Sequence, residues 1–425
     1  MTVNPPATAV DWQVPTLIGF GSGRAADLGP QAAALGSAPA VLIDARVAES
    51  ETGRDLLARL SAHGVPAVSV TRVAGVPTLD AVVTAVDAVT ACGADLVVGI
   101  GGGSTMDTAK LAALASTNFE LLESDRWRSG PLLDLDGERG AHLRPGLPSL
   151  LLPTTTATGS ELNSVAAVVH EGQRRLMVSG RLASTSALID PDLSASLPTA
   201  AVIEGGVETL ARIVCPYLAG AALDVTDALA ETLAAQCLAA LDRLSADPAD
   251  AQARAELVWI VAVSATQLVG LGRGRYDHVL WYLQDPLCTI YGLPKGRTMS
   301  ALLPAYLAAI GGGGAIGPRL GDADRLSRLD RAVAVPLGRA TFAEALSQRL
   351  AAWDMPVCLE DLGGIDIERV ALACHESWHL TGRLSGVERP ELVAFFGSAS
   401  GGPAHHEPRL AATPSGAEIP LEGGD

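Results

Sequence analysis

Short apolar runs alternate with helical segments through the first half of the chain. Apolar side chains recur at helical spacing over 51–63 and 79–92, which predicts two amphipathic helices. Such alternation is typical of a parallel sheet covered by helices. Two more apolar runs, 165–170 and 174–178, flank Glu171–Gly172 and predict a β-hairpin. The four runs predicted as strands of the sheet are 38–44, 67–73, 94–100 and 149–155.

The second half of the chain has a different pattern. From about Pro198 onward, segments rich in Leu and Ala follow helical spacing, which predicts an all-helical domain. Turn residues at Ile189–Asp192 mark the boundary, so we expect an α/β domain over 1–193 and a helical domain over 194–397. The remaining residues, 398–425, are rich in Gly, Pro and Ala and are predicted to be a disordered tail. The predicted helices are 202–217, 222–245, 251–271, 298–310, 322–334, 341–352 and 366–383.

Composition excludes several classes of partner. The chain has 425 residues, enough for two domains, and 48% of them are hydrophobic. Its formal net charge is -17, so we expect neither a nucleic acid nor an anionic membrane surface as partner. No apolar stretch reaches the roughly 18 residues of a membrane-spanning helix, and the N-terminus lacks the blocks of a signal peptide. Six cysteines without a C-x-x-C pattern favour reduced thiols in a cytoplasmic protein.

A glycine-rich segment follows the predicted strand over 94–100. It reads Gly101-Gly102-Gly103-Ser104, and a helix that carries Asp107 and Lys110 comes next. Glycine lets backbone N–H groups approach a phosphate closely, and the N-terminus of a helix adds positive potential. A strand, a glycine turn and a helix in this order indicate a phosphate-binding site. The alternative is a tight turn between a strand and a helix.

Two other polar segments follow predicted strands. Asp44 ends the strand over 38–44, where a carboxylate can accept hydrogen bonds from a ribose and repel a 2′-phosphate. It favours NAD over NADP, although Arg46 weakens this preference, and the alternative role for Asp44 is a helix N-cap. The second segment, Pro153–Glu161, offers several hydroxyl groups to a cofactor in a glycine-containing turn. Its candidate cofactor ligands are Thr154, Thr155 and Thr158.

Together these segments resemble the iron-containing alcohol dehydrogenase family. The family carries G-G-G-S-x-x-D-x-x-K, matched by Gly101 to Lys110, and P-T-T-x-x-T-G-S-E, matched by Pro153 to Glu161. A D-P-x-L segment at the domain junction is matched by Asp190 to Leu193, and the resemblance covers roughly residues 12–395. It implies a Rossmann-like dinucleotide-binding domain, a helical domain, an active site in the cleft between them, a nicotinamide cofactor and a homodimer.

The metal site is where this chain departs from the family. The family binds a divalent metal through an Asp and a His four residues later, and the matching positions here are Glu208 and Arg212. A guanidinium has no free lone pair and cannot ligate a metal. A further ligand lies in a P-H-G segment, where this chain has Lys295, and the family spacing puts Trp281 at the remaining ligand. Only a shifted register, with His278 in its place, restores one donor, so we predict that no catalytic metal binds.

Charged residues stand where the metal ligands would be. Arg212 and Lys295 place positive charge there, and Glu208 and Asp285 balance it, Asp285 being at a position where the family often has another active-site His. An ammonium group can stabilise an alkoxide while a hydride leaves. We therefore predict that these four residues are catalytic. The alternative is a structural ion pair that fills a lost metal site.

Two cations in the pocket favour an anionic substrate, small molecule or peptide. A 3-hydroxy acid fits, with its carboxylate on Arg212 and its hydroxyl carbon oxidised by NAD. The product, a 3-keto acid, loses CO2 without help from a metal. Dehydrogenases that resemble this family occur in biosynthetic clusters for ribosomal peptides of the daptide type, where a C-terminal Thr is oxidised and decarboxylated to a ketone. We predict that chemistry for this chain.

Three alternatives stay open. One is an ordinary metal-dependent alcohol or aldehyde oxidoreductase that acts on a small alcohol, and another is a non-catalytic, peptide-binding subunit. The glycine and threonine segments argue against the second, because a scaffold needs no phosphate cradle. The third arises from His375–His379, which matches the H-E-x-x-H pattern of zinc proteases. We expect no protease, since Ser385 stands where a third His would be and the segment lies inside the resemblance.

Overall fold

A six-stranded parallel sheet forms the centre of the N-terminal domain. The computed structural model describes residues 12–401, apart from 124–126, 128–129, 137–141, 221, 275–276, 313–314 and 380. The strands of this domain are β1 (Leu17–Phe20), β2 (Pro39–Asp44), β3 (Ser69–Val73), β4 (Leu96–Gly101), β5 (Leu132–Asp134), β6 (Ser149–Pro153), β7 (Val165–His170), β8 (Gln173–Val178) and β9 (Ser186–Ile189). The order in the large sheet is β1-β9-β6-β4-β2-β3, and all neighbours in it are parallel.

Helices cover both faces of this sheet. On one face, Leu28 and Leu56 pack with Val41 and Ile100. On the other face, Val86 and other residues of the helices over 79–91 and 103–115 pack against the opposite side of the sheet. Strands β4 and β6 are buried throughout, which explains their almost unbroken apolar runs. The helices are α1 (Leu28–Leu35), α2 (Ala45–Glu49), α3 (Glu51–Ala62), α4 (Leu79–Ala91) and α5 (Gly103–Ala115).

The predicted hairpin forms a second, smaller sheet. Strands β7 and β8 are antiparallel, and β5 joins β8 in parallel. The turn residues Glu171 and Gly172 have φ of 52° and 73°, the left-handed values that a tight hairpin turn needs. The prediction of the hairpin is thus confirmed, whereas β1, β5 and β9 were not predicted.

The second half of the chain is helical, as predicted. The predicted helix over 251–271 is too long: the observed helix ends at Ala265, and Gln267, with φ 61°, has a left-handed backbone. A helix that contains Pro286 was missed. No helix in the described part of the chain is both long and apolar enough to cross a membrane. The helices are α6 (Thr199–Ala219), α7 (Asp224–Ala246), α8 (Ala251–Ala265), α9 (Val279–Tyr291), α10 (Lys295–Gly311), α11 (Gly317–Leu320), α12 (Ala323–Leu329), α13 (Phe342–Ala352), α14 (Ile367–Trp378) and α15 (Arg389–Ser398).

A buried charge network holds three parts of the helical domain together. Asp227 on α7 is 1% exposed and accepts two hydrogen bonds from Arg325 on α12, at 2.5 and 2.6 Å. Arg273 also donates to this carboxylate, and Arg328 lies 3.2 Å from it. The guanidinium carbon of Arg325 lies 4.1 Å from the ring centroid of Tyr217. One carboxylate thus pairs with three guanidinium groups, and Glu231 adds a second carboxylate 2.6 Å from Arg328.

The predicted tail begins at the end of the last helix. Residues 389–398 form α15, so the helical domain extends one residue into the range that was predicted to be a tail. Residues 402–425 of that range lie outside the described residues. All six cysteines are free thiols, four of them buried, which agrees with the sequence-based expectation.

Candidate active site

The three polar segments predicted to bind a cofactor meet at one edge of the sheet. Strands β2, β4 and β6 are neighbours, with Ile43 opposite Ile100 and Gly101 opposite Pro153. Their carboxyl ends therefore bring Asp44, the glycine turn and the threonine loop side by side. The backbone N–H of Thr154 donates to the Gly101 carbonyl at 2.9 Å, which joins the two loops directly.

Two positions of the glycine turn, Gly101 and Gly103, have no space for a side chain. Gly101 has a φ of 156°, and a Cβ on it would lie 2.7 Å from the hydroxyl of Thr105. A Cβ on Gly102 would lie 3.1 Å from Thr155, and one on Gly103 would lie 2.5 Å from Thr158. The predicted threonine ligands therefore cover the glycine turn.

The first turn of α5 offers its N–H groups to a ligand. The helix begins at Gly103, and no side chain caps it. The first N–H groups of a helix have no partner within the helix and carry the positive end of the helix dipole. Ser104 lies in the same turn. This geometry supports the predicted phosphate site formed by Gly101, Gly102, Gly103 and Ser104.

Asp44 caps a helix at this edge. Its Oδ1 atom accepts from the backbone N–H groups of Arg46 at 2.9 Å and Val47 at 3.4 Å, which is the N-cap role considered as the alternative. The cap uses one carboxylate oxygen. Recognition of a ribose by Asp44 stays a prediction.

Asp107 and Lys110 position the threonine loop. The carboxylate of Asp107 accepts from the Ser160 hydroxyl at 2.5 Å and from the Ala167 N–H at 3.0 Å. The ammonium of Lys110 donates to the Ser160 carbonyl and to the Asn163 side chain, both at 2.9 Å. Both oxygens of Asp107 thus accept from protein donors, so it holds the threonine loop; a direct contact of Asp107 with a cofactor, which the motif match predicts, stays a prediction.

Three of the four charged residues predicted as catalytic come together. Glu208 on α6 lies 3.1 Å from the ammonium of Lys295 at the start of α10 and 3.4 Å from the guanidinium of Arg212. Burial would raise the pKa of Glu208, but Lys295 and Arg212 outweigh it, so the pKa is lowered. Glu208 is therefore a carboxylate held between two cations.

Arg212 is committed to the protein around it. Its guanidinium donates to the Ala157 carbonyl at 2.7 Å and to the Ser264 hydroxyl at 3.3 Å, and the side chain is 11% exposed. It does not line the cavity described next. Two of its nitrogens thus donate to the threonine loop and α8, and the contact of Arg212 with a substrate carboxylate stays a prediction.

One cavity of about 220 Å³ joins the cofactor edge to the charged centre. Glu204, which sequence reasoning missed, adds a further carboxylate to its wall, 3.9 Å from the guanidinium of Arg297. Burial raises the pKa of Glu204. The glycine turn, the threonine loop and the helical domain thus all contribute residues to the wall of one cavity. Its lining includes Gly102, Gly103, Thr155, Thr156, Glu208 and Lys295.

Asp285, the fourth predicted residue, does not line this cavity and lies near an arginine that the sequence did not indicate. Its Oδ2 atom accepts from the indole N–H of Trp378 at 3.2 Å, and its Oδ1 atom lies 3.9 Å from Nε of Arg174 on the hairpin strand β8. Burial raises the pKa of Asp285. Arg174 was not predicted, because it lies more than a hundred residues before Asp285 in the sequence and only the tertiary structure brings the two together.

Two family models match the chain. One, described as iron-containing alcohol dehydrogenase, matches residues 15–191, and the other, described as the C-terminal part of that family, matches residues 202–380. The chain belongs to the iron-containing alcohol dehydrogenase family. The resemblance inferred from three motifs is thereby confirmed.

Two relatives show how much of the family's length is matched. Long-chain-alcohol dehydrogenase 1 of Geobacillus thermodenitrificans is 29% identical over 220 residues, 51% of this chain and 52% of that protein. Sulfoacetaldehyde reductase of Bilophila wadsworthia is 29% identical over 233 residues, 54% of this chain and 56% of that protein. The chain spans about half the length of these curated relatives.

Solved structures share the fold over nearly the whole chain. NADH-dependent butanol dehydrogenase A of Thermotoga maritima superposes with a TM-score of 0.78 at 22% identity, covering 92% of this chain and 98% of that one. Sulfoacetaldehyde reductase of Bifidobacterium kashiwanohense in complex with NAD+ gives 0.74 at 20% identity, with coverage of 93% and 99%. At these identities the similarity shows the fold alone.

The residues at the iron-containing alcohol dehydrogenase metal position do not fit a divalent ion. Lys295 and Arg212 both direct donors at Glu208, and neither has a lone pair to offer a metal. His278 is the N-cap residue of α9, and Trp281 packs edge-on against its ring, with the ring centroids 5.3 Å apart. Within the described ranges, no three His, Cys, Asp or Glu side chains are grouped so that they could hold an ion.

His278 is expected to make stability depend on acid pH. Burial and then Arg212 lower its pKa from 6.5 to about 4, so the unfolded chain binds a proton first as the pH falls. Stability is fully present above pH 6.5 and is lost as the pH falls toward 4, by up to about 1.4 kcal/mol per pH unit. Urea unfolding of His278→Asn over this range should show a shallower loss.

The control for this prediction is His63→Asn. His63 is exposed, so its replacement should leave the dependence on pH unchanged. An equal slope in wild type and His278→Asn would contradict the role given to His278.

The H-E-x-x-H segment is part of a packed helix. His375 and His379 stack with ring centroids 4.6 Å apart, and the Nδ1 atom of His379 lies 2.5 Å from the His375 carbonyl. The neighbouring Cys374 and Trp378 belong to the core of the helical domain. The segment also lies within the C-terminal family match, so the expectation of no protease site there agrees with its surroundings.

Proposed function

We propose that this chain is a nicotinamide-dependent alcohol dehydrogenase that works without a catalytic metal, with Lys295 and Glu208 at the reacting oxygen. The observation that carries this proposal is the single cavity lined by Gly102, Gly103, Glu208 and Lys295. The glycine turn and the charged pair both line this one cavity, which supports a cofactor and a reacting alcohol bound side by side. Asp44 lies at the end of β2, where a carboxylate would accept hydrogen bonds from a ribose and repel a 2′-phosphate, so we expect NAD rather than NADP.

Residues of this chain would share the work of oxidising an alcohol. Bound NAD would accept the hydride from the alcohol carbon. The ammonium of Lys295 donates a hydrogen bond to the oxygen and stabilises its developing negative charge, the task that a metal has elsewhere in the family. Glu208, 3.1 Å from that ammonium, accepts the hydroxyl proton. The guanidinium of Arg212 also donates to the carboxylate of Glu208 and holds it in position.

The proposed substrate is a 3-hydroxy acid. Lys295, Arg212 and Arg174 supply the positive charge around the centre that favours its carboxylate. After the hydroxyl proton and the C3 hydride have left, the bond between C1 and C2 breaks, CO2 leaves and C2 takes up a proton. This step needs no further redox partner. We propose a peptide with a C-terminal Thr, of the kind found in ribosomal-peptide biosynthesis, as the substrate of this type.

The cofactor site is tested by Gly102→Asp in chelator-treated protein. The new carboxylate would face the phosphate site, so saturable NADH binding, followed by nicotinamide fluorescence, should weaken at least a hundredfold. The added Cβ meets only the Thr155 side chain, at 3.1 Å, so the fold should survive. Wild type should bind NADH and oxidise its substrate equally well with and without chelator.

Gly397→Asp is the matched control. It adds the same charge at a glycine where a Cβ would meet nothing within 4 Å, on a helix remote from the cavity lining. NADH binding that appears only after zinc or iron is added would show that a metal site is present. Absence of NADH binding under every condition would refute a dehydrogenase function.

A further inference from the structure

We infer that Glu204 carries the proton released by alcohol oxidation from Glu208 to the solvent. This inference rests on the proposed dehydrogenase function and adds to it the residue through which the proton leaves the same cavity. Each oxidation of an alcohol by NAD transfers a hydride to the cofactor and releases one proton. Glu208 accepts that proton in the proposed mechanism and must lose it before the next turnover.

Glu204 and Glu208 lie on one face of α6 and on the wall of one cavity. They are four residues apart, and residues at this spacing are neighbours on a helix surface, with Cβ atoms about 5–6 Å apart. Both line the cavity of about 220 Å³ that Lys295 also lines. A polar cavity of this size has room for water. The two carboxylates can therefore exchange a proton, directly or through water.

The start of α10 packs against Glu204. A Cβ on Gly296 would lie 2.6 Å from the Cβ of Glu204, so the two helices approach each other closely at this point. Lys295, the residue before Gly296, donates to Glu208 at 3.1 Å. The packing of α10 on α6 thus holds Glu204 beside the proposed reacting centre.

Glu204 is the more exposed of the two carboxylates. Its side chain is 22% exposed, whereas that of Glu208 is 7% exposed. Arg297 lies 3.9 Å from the carboxylate of Glu204, which is too far for a hydrogen bond. Among the described residues, none donates a hydrogen bond to this carboxylate. Its oxygens are therefore open both to a proton from the cavity and to the solvent.

The basicity of the two groups favours transfer in this direction. Burial would raise the pKa of Glu208, but Lys295 and Arg212 outweigh it, so the pKa is lowered. Burial raises the pKa of Glu204, and Arg297 offsets this only in part. The proton thus moves from the weaker base to the stronger one. Glu204 then gives it to water or buffer and returns to its charged form.

The test is Glu204→Ala, with NAD+ and the alcohol that wild type oxidises fastest in a panel of neutral and anionic alcohols. Alanine keeps the Cβ that packs on Gly296 and favours a helix, so the fold and NADH binding should be retained. At low buffer concentration, kcat should fall by about a hundredfold, the lower end of what a lost proton-transfer group costs. Added imidazole should restore kcat saturably, because a small base in the vacated space can accept the proton from Glu208.

Two controls separate proton transfer from other effects. Sodium chloride at the same ionic strength should not restore kcat, and wild type should not respond to imidazole. Glu256→Ala is the matched variant, because Glu256 also pairs with an arginine, Arg243 at 2.9 Å, but does not line the cavity. It should keep the kcat of wild type at every buffer concentration. The solvent isotope effect on kcat should rise in Glu204→Ala and fall again with imidazole, which a structural role would not produce.

The outcomes separate this inference from the proposed function. A kcat of Glu204→Ala equal to that of wild type at low buffer concentration would overturn the role of Glu204 in proton transfer. A fall in kcat that imidazole does not restore would also overturn it, while the dehydrogenase function stands. Failure of wild type to bind NADH, or to oxidise any alcohol of the panel, would instead refute the proposed function itself.

Discussion

Replacing Lys295 by Met should lower kcat by about a hundred- to a thousandfold while NADH binding stays within a few-fold of wild type. The expected size follows from the removal of one charged donor at an oxygen that becomes negative in the transition state. Met keeps most of the side-chain volume, so the cavity should keep its shape. Stopped-flow measurement of NADH formation gives the rate of the chemical step, and fluorescence titration gives the affinity for the cofactor.

A second consequence of Lys295→Met concerns Glu208. With Lys295 removed, only Arg212 and Arg174 still oppose the effect of burial, so the pKa of Glu208 should rise. The limb of the pH–rate profile that reports this group should then move to higher pH. Arg297→Met is the control, since Arg297 lies on the same helix but pairs with Glu204 at 3.9 Å. A kcat within threefold of wild type in Lys295→Met would remove this residue from the chemistry.

Replacing Asp227 by Ala should lower the free energy of unfolding by about 3–5 kcal/mol, the usual cost of breaking a buried ion pair. The change leaves Arg325, Arg273 and Arg328 close to one another without the carboxylate that they share. Urea unfolding followed by circular dichroism measures the loss. Because α7 and α12 are both held by this residue, the helical domain should be the part that loosens first.

The exposed pair of Asp55 and Arg59 provides the comparison. Their atoms lie 2.7 Å apart on the surface of α3, and surface pairs of this kind contribute about 0–1 kcal/mol. Asp55→Ala should therefore change the unfolding free energy by less than about 1 kcal/mol. If Asp227→Ala cost no more than Asp55→Ala, the network would have no structural importance.

The cofactor edge could be predicted from the sequence because each part of it is local. Gly101 to Ser104 and Pro153 to Glu161 each follow a strand directly, and parallel strands place their carboxyl ends together. A short stretch of sequence thus contains both the motif and the strand that places it at this edge of the sheet. The same reasoning gave Glu208 and Arg212, which are four residues apart on one helix.

What the sequence could not give was the direction in which charged side chains point. Arg212 was expected to face the substrate, yet it donates to Ala157 and Ser264, partners on two other elements. Asp285 and Arg174 meet through the packing of β8 near α9, and no local pattern encodes that meeting. Asp107 carried a motif match, but its hydrogen bonds go to Ser160 and Ala167. These contacts depend on tertiary structure and not on spacing.

Arg212 also connects two parts of the site that are far apart in the sequence. One guanidinium donates both to the carbonyl of Ala157, in the threonine loop beside the cofactor edge, and to the carboxylate of Glu208. Any shift of that loop when a nucleotide binds would therefore act on the same cation that balances Glu208. By thermodynamic reciprocity, protonation of Glu208 and affinity for the nucleotide would then change each other by an equal factor.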